Sequence, residues 1–123
     1  MRANSSSVIL AVVADVIFAS RVQADLATAG HEVRVVEGLA ELEQAHRERP
    51  AGLVVLDLDA GPRAAQVVAL AEPRAVPVLA FGRHTEAAML RAARQAGCAE
   101  VVPRSTFFAE TRSLVGVLLA SRT

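Results

Sequence analysis

The chain has no Trp, no Tyr and no Lys, and its 123 residues include one Cys and four Phe. With Cys98 alone, no internal disulfide can form, and a reducing cytoplasm is the expected compartment. Four Phe are too few to build a stacking platform for bases. Thirteen basic residues, all Arg, balance thirteen acidic ones, so neither nucleic acid nor a membrane is an expected partner. Long apolar runs are missing as well. Val8 to Val13 is strongly apolar over only six residues, whereas a spanning helix needs about 20. The start also lacks the apolar region and cleavage signal of a secretory leader. The composition that remains, 53% hydrophobic and 21% charged, suits one globular domain over residues 1–123. Residues 1–7 are expected to form a disordered tail.

Short apolar runs alternate with stretches of helical period. Val8 to Val13, Val33 to Val36, Leu53 to Leu56, Val78 to Phe81 and Val101-Val102 read as five strands. Phe18, Val22, Leu26 and Ala29 mark a first helix with Gly30 as C-cap. Leu39, Leu42 and Ala45 mark a second that stops before Pro50. Pro62 is placed to open a short third helix with Ala65, Val68 and Ala69 inward, limited by Pro73. Thr85 is expected to cap a fourth helix ending at Gly97, and Ser105 or Thr106 a last one carrying Phe107, Leu114, Val117 and Leu118. Helices between successive strands exclude hairpins and force parallel pairing with right-handed crossovers. The expected fold is α/β: a three-layer αβα sandwich around a five-stranded parallel sheet in the flavodoxin-like order 2-1-3-4-5.

That order sets the first and third strands side by side at the switch point, where open α/β sheets place their sites. Asp57 ends the third run at its carboxyl end, and Asp15, just after the first strand, should face the same crevice. Asp59, Arg83 and His84 are further crevice candidates, with Phe81-Gly82-Arg83-His84-Thr85 as the loop above. Each has a plainer reading. Asp57 suits hydrogen bonding to loop amides or pairing with an arginine, Asp15 a helix cap, and His84 a solvated loop. Phe18 reads as core, Ser20 and Arg21 as the crevice mouth or a solvated face, Cys98 as a small buried apolar residue, and His31 and His46 as surface.

Leu53-Val54-Val55-Leu56-Asp57-Leu58-Asp59, Val76-Pro77-Val78-Leu79 and Ala96-Gly97-Cys98-Ala99-Glu100 together resemble the receiver domain of response regulators. This is the aspartate-phosphorylated module of two-component signalling, and the resemblance covers nearly the whole chain. It implies that Asp57 stands at the phosphoacceptor position. Elsewhere the chain departs from the pattern. Val13 and Ala14 stand where receivers carry the acidic pair that holds Mg²⁺, with Asp15 one residue late. Gly82 replaces a Thr or Ser, Val101 the switch aromatic, Arg104 a Lys, and Ser105 the Pro after it.

These losses lead to the reading of a stand-alone degenerate receiver, a regulatory protein–protein interaction module and not an enzyme, acting without conventional aspartyl phosphorylation. No cofactor is expected, since Mg²⁺ would find only Asp15 and Asp57, with Asp59 or a loop carbonyl, as candidate ligands. Arg104 is expected to reach back and pair with Asp57. One alternative is a functional single-domain regulator phosphorylated on Asp57. Another is a small-anion or nucleotide site at the switch point, using Arg83, Arg104 and helix N-termini. The expected partner is a protein, with a second copy docking through the fourth helix, fifth strand and fifth helix. Phe107, Phe108, Val115 and Leu119 are the interface candidates, because the last helix carries more apolar side chains than one stripe needs.

Overall fold

Three strands are buried along their whole length, β1 (Val8–Val12), β3 (Ala51–Asp57) and β4 (Val78–Gly82), because helices cover both faces of the sheet. The computed structural model describes residues 8–121, so the tail expected at residues 1–7 lies outside the described residues. All strand pairs are parallel. β2 (Val33–Val36) lies outside β1, and β4 then β5 (Glu100–Pro103) lie beyond β3. The resulting order, β2-β1-β3-β4-β5, is the expected flavodoxin-like one.

Strand alternation divides the buried side chains between two cores. Leu10, Val12, Val54, Leu56 and Ala80 face one side, where α2 (Leu39–Glu48), α3 (Ala64–Ala71) and α4 (Ala87–Ala96) contribute Leu42, Val67 and Leu90. Ile9, Ala11, Val55, Leu79 and Phe81 face the other, covered by α1 (Val16–Thr28), α5 (Arg104–Ala109) and α6 (Thr111–Ala120). Gly97 ends α4 in the left-handed region, φ +109°, which a side chain would resist.

Several local expectations need correction. Pro62 does not open α3; Gln66 Oε1 accepts the Arg63 N–H at 3.0 Å, and the helix starts at Ala64. Its buried positions are then Val67 and Ala71, while Ala65 and Ala69 are exposed. The eight residues of α3 are apolar except for Gln66, so composition alone specifies no stripe. Thr85 caps nothing, because Glu86 occupies the N-cap of α4 without a side-chain bond. The single last helix is two, interrupted at Glu110 (φ −126°, ψ 25°), and α5 begins at Arg104, ahead of Ser105 and Thr106. His46 is buried, not superficial, its Nδ1 accepting the Ala51 N–H at 3.0 Å.

The break also reassigns the apolar residues of the C-terminus. Phe107 and Val115, expected at an interface, are both 0% exposed and belong to the core. Phe107 stacks on Phe81 with ring centroids 4.4 Å apart. Phe108 and Leu119 pack against the same core and stay partly exposed, while Val117, expected inward, is 65% exposed.

Candidate functional site

Asp57 closes β3, its backbone in register with Phe81 of β4, and is 2% exposed. Its Oδ1 accepts the Asp59 N–H at 2.9 Å, a local turn that aims the carboxyl at the carboxyl end of the sheet. Burial pushes that carboxyl above the usual aspartate range. The Asp59 amide and the Arg104 cation pull it back, while the charges of Asp59 and Asp15 push it further up.

Arg104 opens α5 and folds back over the crevice. Its Nη2 donates to Asp59 Oδ2 at 2.9 Å and lies 3.7 Å from Asp57 Oδ1. The expected pairing with Asp57 is therefore the longer half of a bridge whose hydrogen bond goes to Asp59. Arg83 Nε joins the same Asp59 oxygen at 3.3 Å. The Arg104 guanidinium lies over Phe18, Cζ 4.2 Å from the ring centroid, and its side chain is 21% exposed. A second such pair crosses it: Arg21 Cζ sits 4.3 Å from the centroid of Phe108. Phe18 and Arg21 share a face of α1 at i,i+3, and Arg104 and Phe108 share one of α5 at i,i+4, so the two helices exchange partners.

Asp15 is committed elsewhere. As N-cap of α1 its Oδ1 accepts the N–H groups of Ile17 at 2.9 Å and Phe18 at 3.0 Å. A side chain at Gly82 would be tightly packed. A Cβ there would lie 3.2 Å from Leu58 Cδ1 and 3.3 Å from Leu90 Cδ2, so these leucines fill the space. Val101 is buried, and Arg94 Nη2 donates to its carbonyl at 3.3 Å. Cys98 is half-buried and its thiol is pushed up to about 11 by burial, so it behaves as an apolar residue rather than a thiolate.

The donor set does not fit Mg²⁺, which asks for oxygen ligands with free lone pairs in near-octahedral array. Asp59 is engaged by two arginines, Asp15 by helix amides, and a guanidinium stands beside Asp57. Among the described residues, no group of three or more His, Cys, Asp or Glu side chains converges.

The raised Asp57 carboxyl has a stability consequence. The folded chain holds this proton to higher pH than the unfolded chain, so stability falls as pH climbs from the ordinary value of 3.8 through the folded one. Asp57→Asn removes that penalty while Arg104 keeps Asp59. The variant should therefore be more stable than the parent at neutral pH, with the gain fading below the ordinary aspartate range. Urea midpoints across that window read it directly; a variant weaker at every pH would contradict the assignment.

Beside the crevice, Phe18, Arg21, Arg83, His84, Arg104 and Phe108 line a cavity of about 570 Å³. Arg83, His84 and Arg104, expected at the crevice, line this cavity. Phe108, expected at an interface, lines it too, and the Phe18/Arg21 and Arg104/Phe108 spacings set the faces that meet there. Phe81 and Gly82 belong to β4, so the loop over the crevice begins only at Arg83.

No family model matches the chain, and no curated protein matches it in sequence. Solved structures do match. The receiver domain of NtrX from Brucella abortus superposes with a TM-score of 0.78 at 23% identity, covering 94% of this chain and 99% of that one. A longer NtrX structure matches at 0.79 and 23% identity, this chain spanning 27% of its length. The receiver domain of sensor histidine kinase PA1611 from Pseudomonas aeruginosa, solved with a magnesium ion in its active-site cleft, gives 0.78 at 16% identity over 94% and 98% of the two chains. The fold is that of response-regulator receiver domains.

Proposed function

We propose that this chain is a two-component signalling module of receiver fold whose aspartate is held by an arginine, and that it acts through protein contact without aspartyl phosphorylation or catalysis. The observation that carries this is the Arg104 bridge, 2.9 Å to Asp59 and 3.7 Å to Asp57. A guanidinium keeps its proton at any physiological pH, so the cation beside Asp57 is permanent. Phosphoryl transfer to a carboxylate needs a metal ion across the transferring oxygens and an ionised, accessible nucleophile. Asp57 instead is 2% exposed, and its neighbours are already engaged. Leu58 and Leu90 crowding Gly82, and Val101 in place of a ring, support a site that does not relay a modification.

The partner is a protein, and a second copy of the chain is the first candidate, docking on α4, β5 and the C-terminal helices. Phe108 and Leu119 stay partly exposed there, and Val117 largely so. Among the described residues no helix is long and apolar enough to cross a membrane.

Incubation with Mg²⁺ and acetyl phosphate, followed by intact mass, tests the central claim. No phosphoryl adduct is expected, and beryllofluoride should leave the amide NMR spectrum unchanged. A mass gain in the parent that disappears in Asp57→Ala would establish a live phosphoacceptor and overturn the reading. Light scattering on the same samples reads self-association.

A further inference from the structure

We propose that the cavity between α1, the β4–α4 loop and α5 binds a small aromatic anion: one planar ring system carrying a carboxylate or phosphate. The site shares Arg104 and Phe108 with the proposed function but requires no chemistry of Asp57. Its lining is cationic in a chain of zero formal net charge: Arg21, Arg83 and Arg104 contribute, and among the described lining residues there is no carboxylate. Asp57 and Asp59 orient two of those arginines without lining the cavity themselves.

Arg83 and Arg21 keep donors for a ligand. Arg83 uses Nε on Asp59, which leaves its two terminal nitrogens. Arg21 has only a long, solvent-exposed ion pair to Asp25, 3.8 Å, with its side chain 57% exposed. A guanidinium over a phenyl ring offers N–H groups to an anion and a planar surface to another ring. Two such surfaces stand together here, since the rings of Phe18 and Phe108 are stacked at 5.9 Å with 24° between their planes.

Size selects the ligand class. A cavity of about 570 Å³ falls within the ~300–1,000 Å³ of small-molecule pockets lined by aromatic groups with a few placed polar ones. Bare phosphate would leave the phenyl and guanidinium faces uncovered, and an uncharged ring would leave the arginine edges unused. A molecule with both parts satisfies both.

Amide NMR titration separates these contributions with four probes: adenosine 5′-monophosphate, indole-3-acetate, adenosine and inorganic phosphate. Saturable shifts confined to residues 18–21, 83–85 and 104–109, which contain the cavity lining, are expected with one or both two-part probes. Adenosine or phosphate alone should bind at least about tenfold more weakly. Arg21→Gln should weaken the two-part probe by about tenfold while leaving the Asp57 and Asp59 amides in place, because Arg21 is outside the Arg104 bridge. Binding by adenosine 5′-monophosphate alone would assign the anion as phosphate, and by indole-3-acetate alone as carboxylate. No saturable shift with either, undiminished binding in Arg21→Gln, or adenosine or phosphate alone matching the two-part probes would each overturn the proposal. None of these outcomes bears on whether Asp57 accepts phosphate.

Discussion

Phe107→Ala is expected to cost about 3–5 kcal/mol, the range for truncating a fully enclosed Phe. The ring is 0% exposed, stacks on Phe81 at 4.4 Å and meets Phe108 edge-on at 5.1 Å. Its removal opens a void at the point where α5 docks on β4, and β4 is too firmly paired with β3 and β5 to collapse into it. Small domains have about 5–15 kcal/mol in all, so a fall in Tm of roughly 10–20 °C should follow. Val117→Ala, at a position 65% exposed, should change stability by no more than about 0.5 kcal/mol. Thermal and urea unfolding of the two variants decide the matter. If Phe107→Ala stayed within about 1 kcal/mol of the parent and altered self-association instead, the residue would belong to a surface after all.

The second large effect is at Arg104. Arg104→Met should lower stability by about 1–3 kcal/mol, because it leaves Asp57 and Asp59 facing each other without the cation between them. Arg83 stays on Asp59 but does not bridge to Asp57. Since Arg104 is one of the influences holding the Asp57 carboxyl down, its loss moves that carboxyl further up. The deficit is therefore greatest at neutral pH and shrinks as the acids protonate. Arg104→Lys should fall between: it keeps a charge but gives up the flat contact with Phe18. Combining Arg104→Met with Asp59→Asn isolates the pair, and a measurable coupling energy is expected from groups 2.9 Å apart. Unchanged urea midpoints in Arg104→Met at neutral pH would remove the basis for an arginine-held aspartate.

How much of this was legible depended on the kind of signal. The apolar run ending at Asp57 identified a central strand and put its carboxylate at the sheet's carboxyl end, because a strand buried on both faces is continuously apolar. Gly97 and Pro50 marked helix ends through local backbone preference. The reach of Arg104 toward Asp57 was expected from the resemblance, which sets Arg104 at the position of a receiver Lys, but not its preference for Asp59, which depends on a turn closed by the Asp59 amide. The α3 stripe was misplaced by one position because an almost wholly apolar octapeptide looks the same from every side.

Taken alone, the amino-acid order settled what neighbours along the chain decide: the alternation of strands and helices, their parallel sense and the position of the acid at β3's end. Period and cap chemistry are properties of consecutive residues, so they can be read in line. Whether Phe107 points inward, which arginine lies on which ring, and that α1 and α5 leave a cationic cavity between them were decided only by tertiary packing. An apolar or charged side chain carries the same local signal in a core, on a surface or in a pocket, and only the helix docked against it selects among the three.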